Sequence, residues 1–267
     1  MDKITQHLQF IQKSSKTTCN YLSGRNLNQI QFFCLGLIRR INDISNSTLT
    51  LFKIIDENPN QEFAIGILFR TLTLDALISS ELHELISDCE KKLLDAEKIK
   101  EKVNNYCEIV LSDGLNSTLN YIKMSELFGF TSFNETKKSY QSIVDLCKNF
   151  FKTYQNDGSQ PILKYTTKIN ATNIFKKLAS NAELKKLSQI FDCYTYYSKY
   201  DHFGILYYHT KNSELDLKVK MYTKATEMFI VHNTLIHHIL NTYSNADQVI
   251  LNQKNELNNY LLTELIG

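Results

Sequence analysis

The side chains best suited to acid–base chemistry lie in one short stretch, residues 194–209, which reads YTYYSKYDHFGILYYH. Ser198 and His202 are four residues apart, so on a helix their side chains can meet. Tyr197 and Asp201 form a second pair of the same kind. A histidine beside an acid and a hydroxyl can have its proton affinity tuned across physiological pH. The stretch therefore predicts a proton-transfer site, although a structural histidine packed among hydrogen-bonded tyrosines satisfies the same pattern.

A second candidate is Arg70, a cation inside the most apolar segment of the chain, EFAIGILFRTLTLDALI at residues 62–78. Helical spacing places it on one stripe with apolar neighbours and with Glu81. A buried arginine without a partner is strongly unfavourable, so a carboxylate or a run of carbonyls must meet it. Asp75 and Glu81 are the local candidates for that carboxylate, and Asp201 is the distant one. The pattern fits a functional cation and a structural ion pair equally well.

Helices must position these residues, because the chain offers few residues that make turns. Only 8 glycines and 2 prolines punctuate 267 residues, so the elements are few and long. The sequence predicts an all-α fold, a multi-helix bundle of long antiparallel helices in a single domain over residues 1–267, with a candidate sub-boundary at the loop 156–164. The predicted helices cover residues 2–22, 26–56, 60–87, 89–111, 115–128, 132–155, 170–179, 183–204, 213–244 and 246–265, with a break at Asp113–Gly114 and an extended segment at 205–209.

Composition and spacing argue against several functional classes. The formal net charge is +2 with acids and bases interleaved, which does not support a strong non-specific nucleic-acid binder. The cysteines show no zinc-like spacing and favour free thiols in the reducing cytoplasm. No apolar run is long enough for a membrane span, and the first ten residues lack the order of a signal peptide. No phosphate loop or metal-ligand spacing is present, so we expect no metal and no cofactor.

Two segments resemble the paired signatures of an all-helical bacterial family related to the HEPN superfamily, the higher-eukaryote and prokaryote nucleotide-binding helical bundles. ILFRTLTLDALI, at residues 67–78, resembles that family's arginine-bearing core helix, with an acid about one turn later. YYSKYDHF, at residues 196–203, resembles its Tyr, Ser and His signature on a later helix. The chain departs from the usual HEPN pattern, in which an arginine and a histidine lie four to six residues apart on one helix. Here the nearest cation before His202 is Lys199.

The resemblance implies a HEPN-like core and a protein of a bacterial defence or toxin system, acting as a metal-independent ribonuclease or an RNA-binding effector. His202 would then move a proton to or from the ribose 2′-hydroxyl or the leaving oxygen. Arg70 or Lys199 would stabilise the extra negative charge on phosphorus. The predicted catalytic set is His202, Arg70, Ser198, Asp75, Lys199 and Asp201, and the predicted binding residues are Tyr197, Tyr200 and Glu81.

Two alternatives to RNA chemistry stay open. A non-catalytic interaction protein would use the long helices to form a homodimer or a complex with a protein partner. A small-molecule binder would use the same tyrosines to line a pocket. Convergence of Arg70 and His202 in an open cleft favours catalysis, whereas burial of both in ion pairs with Asp75 or Asp201 favours the interaction protein.

Overall fold

Nine α-helices account for most of the residues that a computed structural model of the chain describes, which are 2–155, 157–181, 187–200, 208–209, 211–245 and 247–266. The all-α multi-helix bundle predicted from the sequence is therefore confirmed. The helices are α1 Asp2–Leu22, α2 Gln29–Phe52, α3 Gln61–Lys91, α4 Ala96–Leu127, α5 Phe133–Leu146, α6 Ala171–Ser180, α7 Ile190–Ser198, α8 Leu215–Tyr243 and α9 Gln248–Leu261. A small antiparallel hairpin joins β1, Phe151–Thr153, to β2, Ile162–Leu163.

The chain divides into two compact units, and the division falls within α4. The first unit contains Met1–Lys100 together with Ala171–Gly267, and the second contains Glu101–Asn170. The loop 156–164, which the sequence marks as a candidate boundary, belongs to the second unit. The core of that unit is made by side chains from α4, α5 and the hairpin, namely Leu119, Tyr140, Phe151 and Leu163.

Helix α3 is the central helix of the first unit and packs against α2, α6, α7 and α8. Its buried residues lie on nearly every side, as the apolar run from residue 62 to 78 predicts. Helix α2 runs antiparallel to α3, because Arg40 meets Asp75 whereas the later Phe52 meets the earlier Phe69.

Helix α8 runs parallel to α3, unlike the antiparallel packing that the sequence predicts for neighbouring helices. Lys218 bonds to Glu62 near the start of both helices. Tyr243 bonds to Glu90 near the end of both. The long connection between α3 and α8 in the sequence permits this parallel arrangement, whereas a short turn would enforce an antiparallel one.

Two local predictions in the second unit are wrong. The Asp113–Gly114 pair does not break the chain, because α4 continues through it, and a single mid-helix glycine costs only about 1 kcal/mol relative to alanine. The helix predicted to reach residue 155 ends at Leu146 and gives way to the β-hairpin. In contrast, the capping box that Ser132 and Glu135 predict is present at the start of α5.

Helix α3 is also the one described helix that is long and apolar enough to cross a bilayer, with 61% of its most apolar window buried inside the protein. That burial accounts for its hydrophobicity as core packing, so the described residues contain no clear membrane span. The six cysteines are free thiols, and five of them are buried.

Two histidines of α8 are fully buried between helices. His237 donates its Nδ1–H to the carbonyl of Asn233 at 2.8 Å, so its Nε2 accepts from the Thr18 hydroxyl, also at 2.8 Å. His232 Nδ1 lies 2.7 Å from Ser79 Oγ, and its Nε2 has no hydrogen-bond partner among the described residues. Burial lowers the pKa of His232 to about 3 and that of His237 to about 4, so both stay neutral in the folded protein.

These two histidines make the fold sensitive to acid. In the unfolded chain a histidine has a pKa of about 6.5, so below that pH it binds a proton that the same histidine in the folded protein does not bind. The free energy of unfolding is therefore highest above pH 6.5 and decreases as the pH falls toward 4. We expect each histidine to remove about 2 to 3 kcal/mol of the free energy of unfolding between pH 7 and about pH 4.5. Urea unfolding of a His232→Asn variant at both pH values should show a shallower loss than the wild type.

His209→Asn, which changes an exposed histidine, is the control and should follow the wild-type pH dependence. An unchanged slope in His232→Asn would show that His232 is not a source of the acid sensitivity.

Candidate functional site

Helix α7, which contains the start of the tyrosine-rich stretch, packs directly against α3, which contains Arg70. The ring of Phe69 on α3 meets that of Tyr197 on α7, with centroids 5.3 Å apart. The buried residues of α7 are Ile190, Cys193 and Tyr197, at three- and four-residue spacing, so the helix presents a single apolar face to the bundle. We call this contact between α3 and α7 the α3–α7 seam.

Arg70 lies at the α3–α7 seam and is half-buried. Its Nη2 donates to the Tyr194 hydroxyl at 3.3 Å, and its guanidinium carbon lies 5.3 Å from the centroid of the Tyr194 ring. Tyr194 in turn stacks on Phe191, which stacks on Phe175 of α6. The guanidinium group therefore lies at the end of a short column of aromatic rings and makes a cation–π contact with the last of them.

The carboxylates predicted to meet Arg70 locally have other partners. Asp75, only 4% exposed, accepts from Arg40 Nε of α2 at 2.7 Å. Glu81 lies 3.5 Å from Lys177 Nζ of α6. Burial raises the pKa of Asp75, and the nearby Arg40 guanidinium offsets part of that rise. Asp75 therefore pairs with α2 and not with Arg70, because it follows five residues later and points to another side of α3, while Glu81 follows eleven residues later, about 16 Å further along the helix.

A second polar contact crosses the α3–α7 seam at the beginning of α3. The Tyr200 hydroxyl donates to Glu62 Oε1 at 2.5 Å, and Lys218 Nζ of α8 donates to Glu62 Oε2 at 2.7 Å. The side chains of Glu62 and Lys218 are each only 13% exposed. Burial raises the pKa of Tyr200, and its bond to the Glu62 carboxylate raises it further, so the hydroxyl keeps its proton. Tyr200 is therefore a predicted binding residue whose hydroxyl already donates a hydrogen bond within the protein.

Tyr197, the other predicted binding tyrosine, is a core residue. Its ring is fully buried and also packs against the rings of Tyr196 and Tyr222. Its hydroxyl has no hydrogen-bond partner among the described residues, and burial raises its pKa well above the usual value. A ring enclosed in this way contributes to packing and gives no open surface for a ligand.

Two further predicted catalytic residues, Ser198 and Lys199, lie at the end of α7. The Ser198 hydroxyl donates to the carbonyl of Thr195 within its own helix at 2.7 Å, a bond common for serine in helices. Lys199 Nζ lies 5.4 Å from the centroid of the Tyr196 ring. Asp201 and His202 lie outside the described residues, as does Glu183, predicted to cap this helix. The described part of the chain thus brings Arg70, Ser198 and Lys199 to the same pair of helices and places Asp75 toward α2.

Two clefts lie on either side of Glu62, a residue that sequence reasoning missed. One has a volume of about 470 Å³ and an apolar wall that includes Phe52, Val219 and Tyr222. The other, of about 230 Å³, is lined by Phe63, Tyr200 and neighbouring residues. The larger cleft is within the size range of small-molecule sites. The sequence does show that Glu62 is an acid in the first turn of the most apolar helix. Acidic residues are common in the first turn of any helix, so this position alone does not point to a site.

Among the residues that the structure describes, no group of three or more His, Cys, Asp or Glu side chains is arranged to hold a metal ion. Comparison of the chain with protein-family models, with curated proteins and with solved structures finds no match.

Tyr200 packs so closely against Gly66 of α3 that a larger side chain at position 66 should destabilise the protein. A Cβ at Gly66 would lie 2.7 Å from Cγ of Tyr200, and the ring cannot swing away while its hydroxyl is bonded to Glu62. We expect Gly66→Ala to lower the free energy of unfolding by about 1 to 3 kcal/mol, despite the better helix propensity of alanine.

Gly36→Ala is the matched control, since Gly36 lies in the interior of α2 and an added Cβ meets nothing within 4 Å. This variant should gain up to about 1 kcal/mol. Thermal unfolding monitored by circular dichroism compares the two, and equal effects in the same direction would contradict the packing described for Tyr200.

Proposed function

We propose that the α3–α7 seam is the RNA site of a cytoplasmic HEPN-like protein, which acts in a bacterial defence or toxin system as a metal-independent ribonuclease or RNA-binding effector. The observation that carries this proposal is the packing of α3, which contains the first signature segment, against the described part of the second, which is more than a hundred residues later in the sequence. Arg70 lies where they meet. An arginine on one segment and a histidine on the other together provide the charge and the proton carrier that RNA cleavage needs.

Arg70 is suited to bind phosphate in this scheme. Its guanidinium group is half-buried, so a phosphate there is held in a medium of lower dielectric than water, where charge-assisted hydrogen bonds are stronger. The Tyr194 hydroxyl holds the guanidinium group through one Nη2 contact, and the ring supports its face. This orientation reduces the side-chain entropy lost when a phosphate binds.

His202 takes the proton-transfer role in the proposed reaction. It removes the proton of the ribose 2′-hydroxyl as that oxygen attacks the adjacent phosphorus, and the bond from phosphorus to the 5′-oxygen breaks. The departing 5′-oxygen takes a proton from water, and His202 later releases to solvent the proton that it removed, so the products are a 2′,3′-cyclic phosphate and a 5′-hydroxyl end. We assign Lys199 a supporting charge. We assign Asp75 and Glu81 structural roles because each is already bonded to another helix.

The direct test incubates purified protein with total RNA in the presence of a chelator. We expect cleavage that yields 5′-hydroxyl ends, and a loss of at least about 100-fold in rate for Arg70→Ala and for His202→Ala. Binding of a labelled single-stranded RNA should weaken in Arg70→Ala, because a phosphate contact is removed.

Arg25→Ala is the matched control, since Arg25 also lies over a tyrosine ring, with its guanidinium carbon 3.7 Å from the Tyr21 centroid, but at a different place on the unit. It should cleave and bind as the wild type does. If the wild type neither cleaves nor binds RNA, or if Arg70→Ala equals the wild type in both assays, the proposal is wrong.

A non-catalytic interaction protein is the second candidate, and a different observation favours it. Several large aromatic side chains of the second unit are strongly exposed, among them Tyr121, Phe128 and Phe130. Contiguous exposed apolar surface of this kind marks protein interaction sites more often than sites of chemistry. The two functions use different units and are compatible in one protein.

A further inference from the structure

The corner between α4 and α5 carries the largest group of exposed apolar side chains among the described residues. We call it the aromatic surface, and its members are Tyr121, Met124, Leu127, Phe128, Phe130 and Phe133. Their exposed fractions run from 45% to 81%. They fall within thirteen consecutive positions, so the surface is local and continuous along the chain.

Helical geometry explains why α4 cannot bury these residues in its own unit. Tyr121, Met124 and Phe128 follow the i, i+3, i+7 spacing of one stripe. Leu119 and Ile122, which contact the core of the unit, lie on a different face of the helix. The apolar residues at this end of α4 therefore form two faces, one for the internal core and one that points outward.

The aromatic surface is built on ordered elements. Gly129 has a φ of +73°, which lets the chain reverse immediately after α4. Phe128 and Phe130 flank it, with ring centroids 6.2 Å apart. The capping box of Ser132 and Glu135 then fixes the start of α5. A preorganised apolar surface loses little conformational entropy when it is covered.

The area is large enough for a stable interface. Aromatic side chains bury about 150–250 Å² each when fully covered, so the exposed parts of the six side chains amount to about 700 Å². The largest apolar patch on a typical monomer is about 300–600 Å². A standard interface buries about 800 Å² on each partner. The aromatic surface and a narrow rim around it supply that area.

The charges at the rim favour a partner of the same kind. Lys123 and Glu126 form an ion pair at 3.2 Å, and Glu135, Lys137 and Lys138 follow on α5. A rim with both signs is self-complementary across a two-fold axis, whereas a rim of one sign would repel its own copy. The 101–170 unit contains no arginine, the residue most used to bind nucleic acid or phosphate.

We propose that the aromatic surface is the interface of a homodimer in which a second copy of this chain covers it about a two-fold axis. The proposal goes beyond the RNA site and does not depend on it. In the dimer each Phe130 lies near the centre of the contact, and the lysines and glutamates of the two rims alternate around it.

Analytical ultracentrifugation over a range of concentrations tests the homodimer. The wild type should dimerise with a dissociation constant below about 10 μM. Phe130→Ser should weaken dimerisation at least about 30-fold, as loss of a central aromatic does in other interfaces. Phe130 is 81% exposed, so its replacement should leave the thermal unfolding temperature of the monomer nearly unchanged.

Leu146→Ser is the matched control, because Leu146 is 82% exposed in the same unit but lies about 20 Å along α5 from Phe133. It should dimerise as the wild type does. Lys137→Glu combined with Lys138→Glu makes the rim negative, so the two rims repel each other and dimerisation should weaken at low salt. At about 0.5 M salt this repulsion is screened, and the double variant should dimerise again. A wild type that stays monomeric at about 100 μM, or a Phe130→Ser variant that dimerises normally, overturns the proposal.

Discussion

Burial of α3 on nearly all its sides is the constraint on which the rest of the first unit depends. A buried polar side chain on such a helix must find its hydrogen-bond partner within the protein. Several of the buried polar residues of α3 accordingly bond to side chains of neighbouring helices. Asp75 bonds to Arg40 of α2, and Ser79 lies 2.7 Å from His232 of α8. These contacts fix the rotation and register of the surrounding helices, which apolar packing alone specifies less sharply.

The same constraint gives Arg70 its distinct character. At the α3–α7 seam it contacts the hydroxyl and the ring of Tyr194. By contrast, Glu62, in the first turn of the same helix, is bonded to both Tyr200 and Lys218. One end of the seam is thus closed by an internal ion pair, and Arg70 lies about two helical turns further along α3.

Much of the fold follows from local sequence signals, and the failures have physical causes. Helix α1 has the predicted bounds Asp2–Leu22, and the capping box at Ser132 is where its spacing predicts it. The break predicted at Asp113–Gly114 is wrong because the rest of α4 favours the helix by more than these two residues disfavour it. The short hairpin was missed because its strands pair across a turn and hold only two and three residues, too few for a period-two pattern to show.

The candidate site could be predicted only in part. Apolar periodicity and composition identified α3, the cation on it and the tyrosine-rich stretch that packs against it. The partners of individual charges could not be predicted, since they depend on rotation and register between helices far apart in sequence. Asp75 is the clearest example, because its partner Arg40 lies on α2, and many charged residues of the chain could have met it equally well on spacing alone.

The structural role of Arg40 and the ligand-binding role proposed for Arg70 are tested most directly by urea unfolding of Arg40→Ala and Arg70→Ala. Arg40→Ala strands the buried Asp75 carboxylate, so it should lose about 3 kcal/mol at pH 7 and recover part of that at lower pH, as the carboxyl binds a proton. Arg70→Ala should lose no more than about 1 kcal/mol, because its hydrogen bond to the Tyr194 hydroxyl is long, at 3.3 Å. A loss at Arg70 equal to or greater than that at Arg40 would contradict the account and make Arg70 a structural residue.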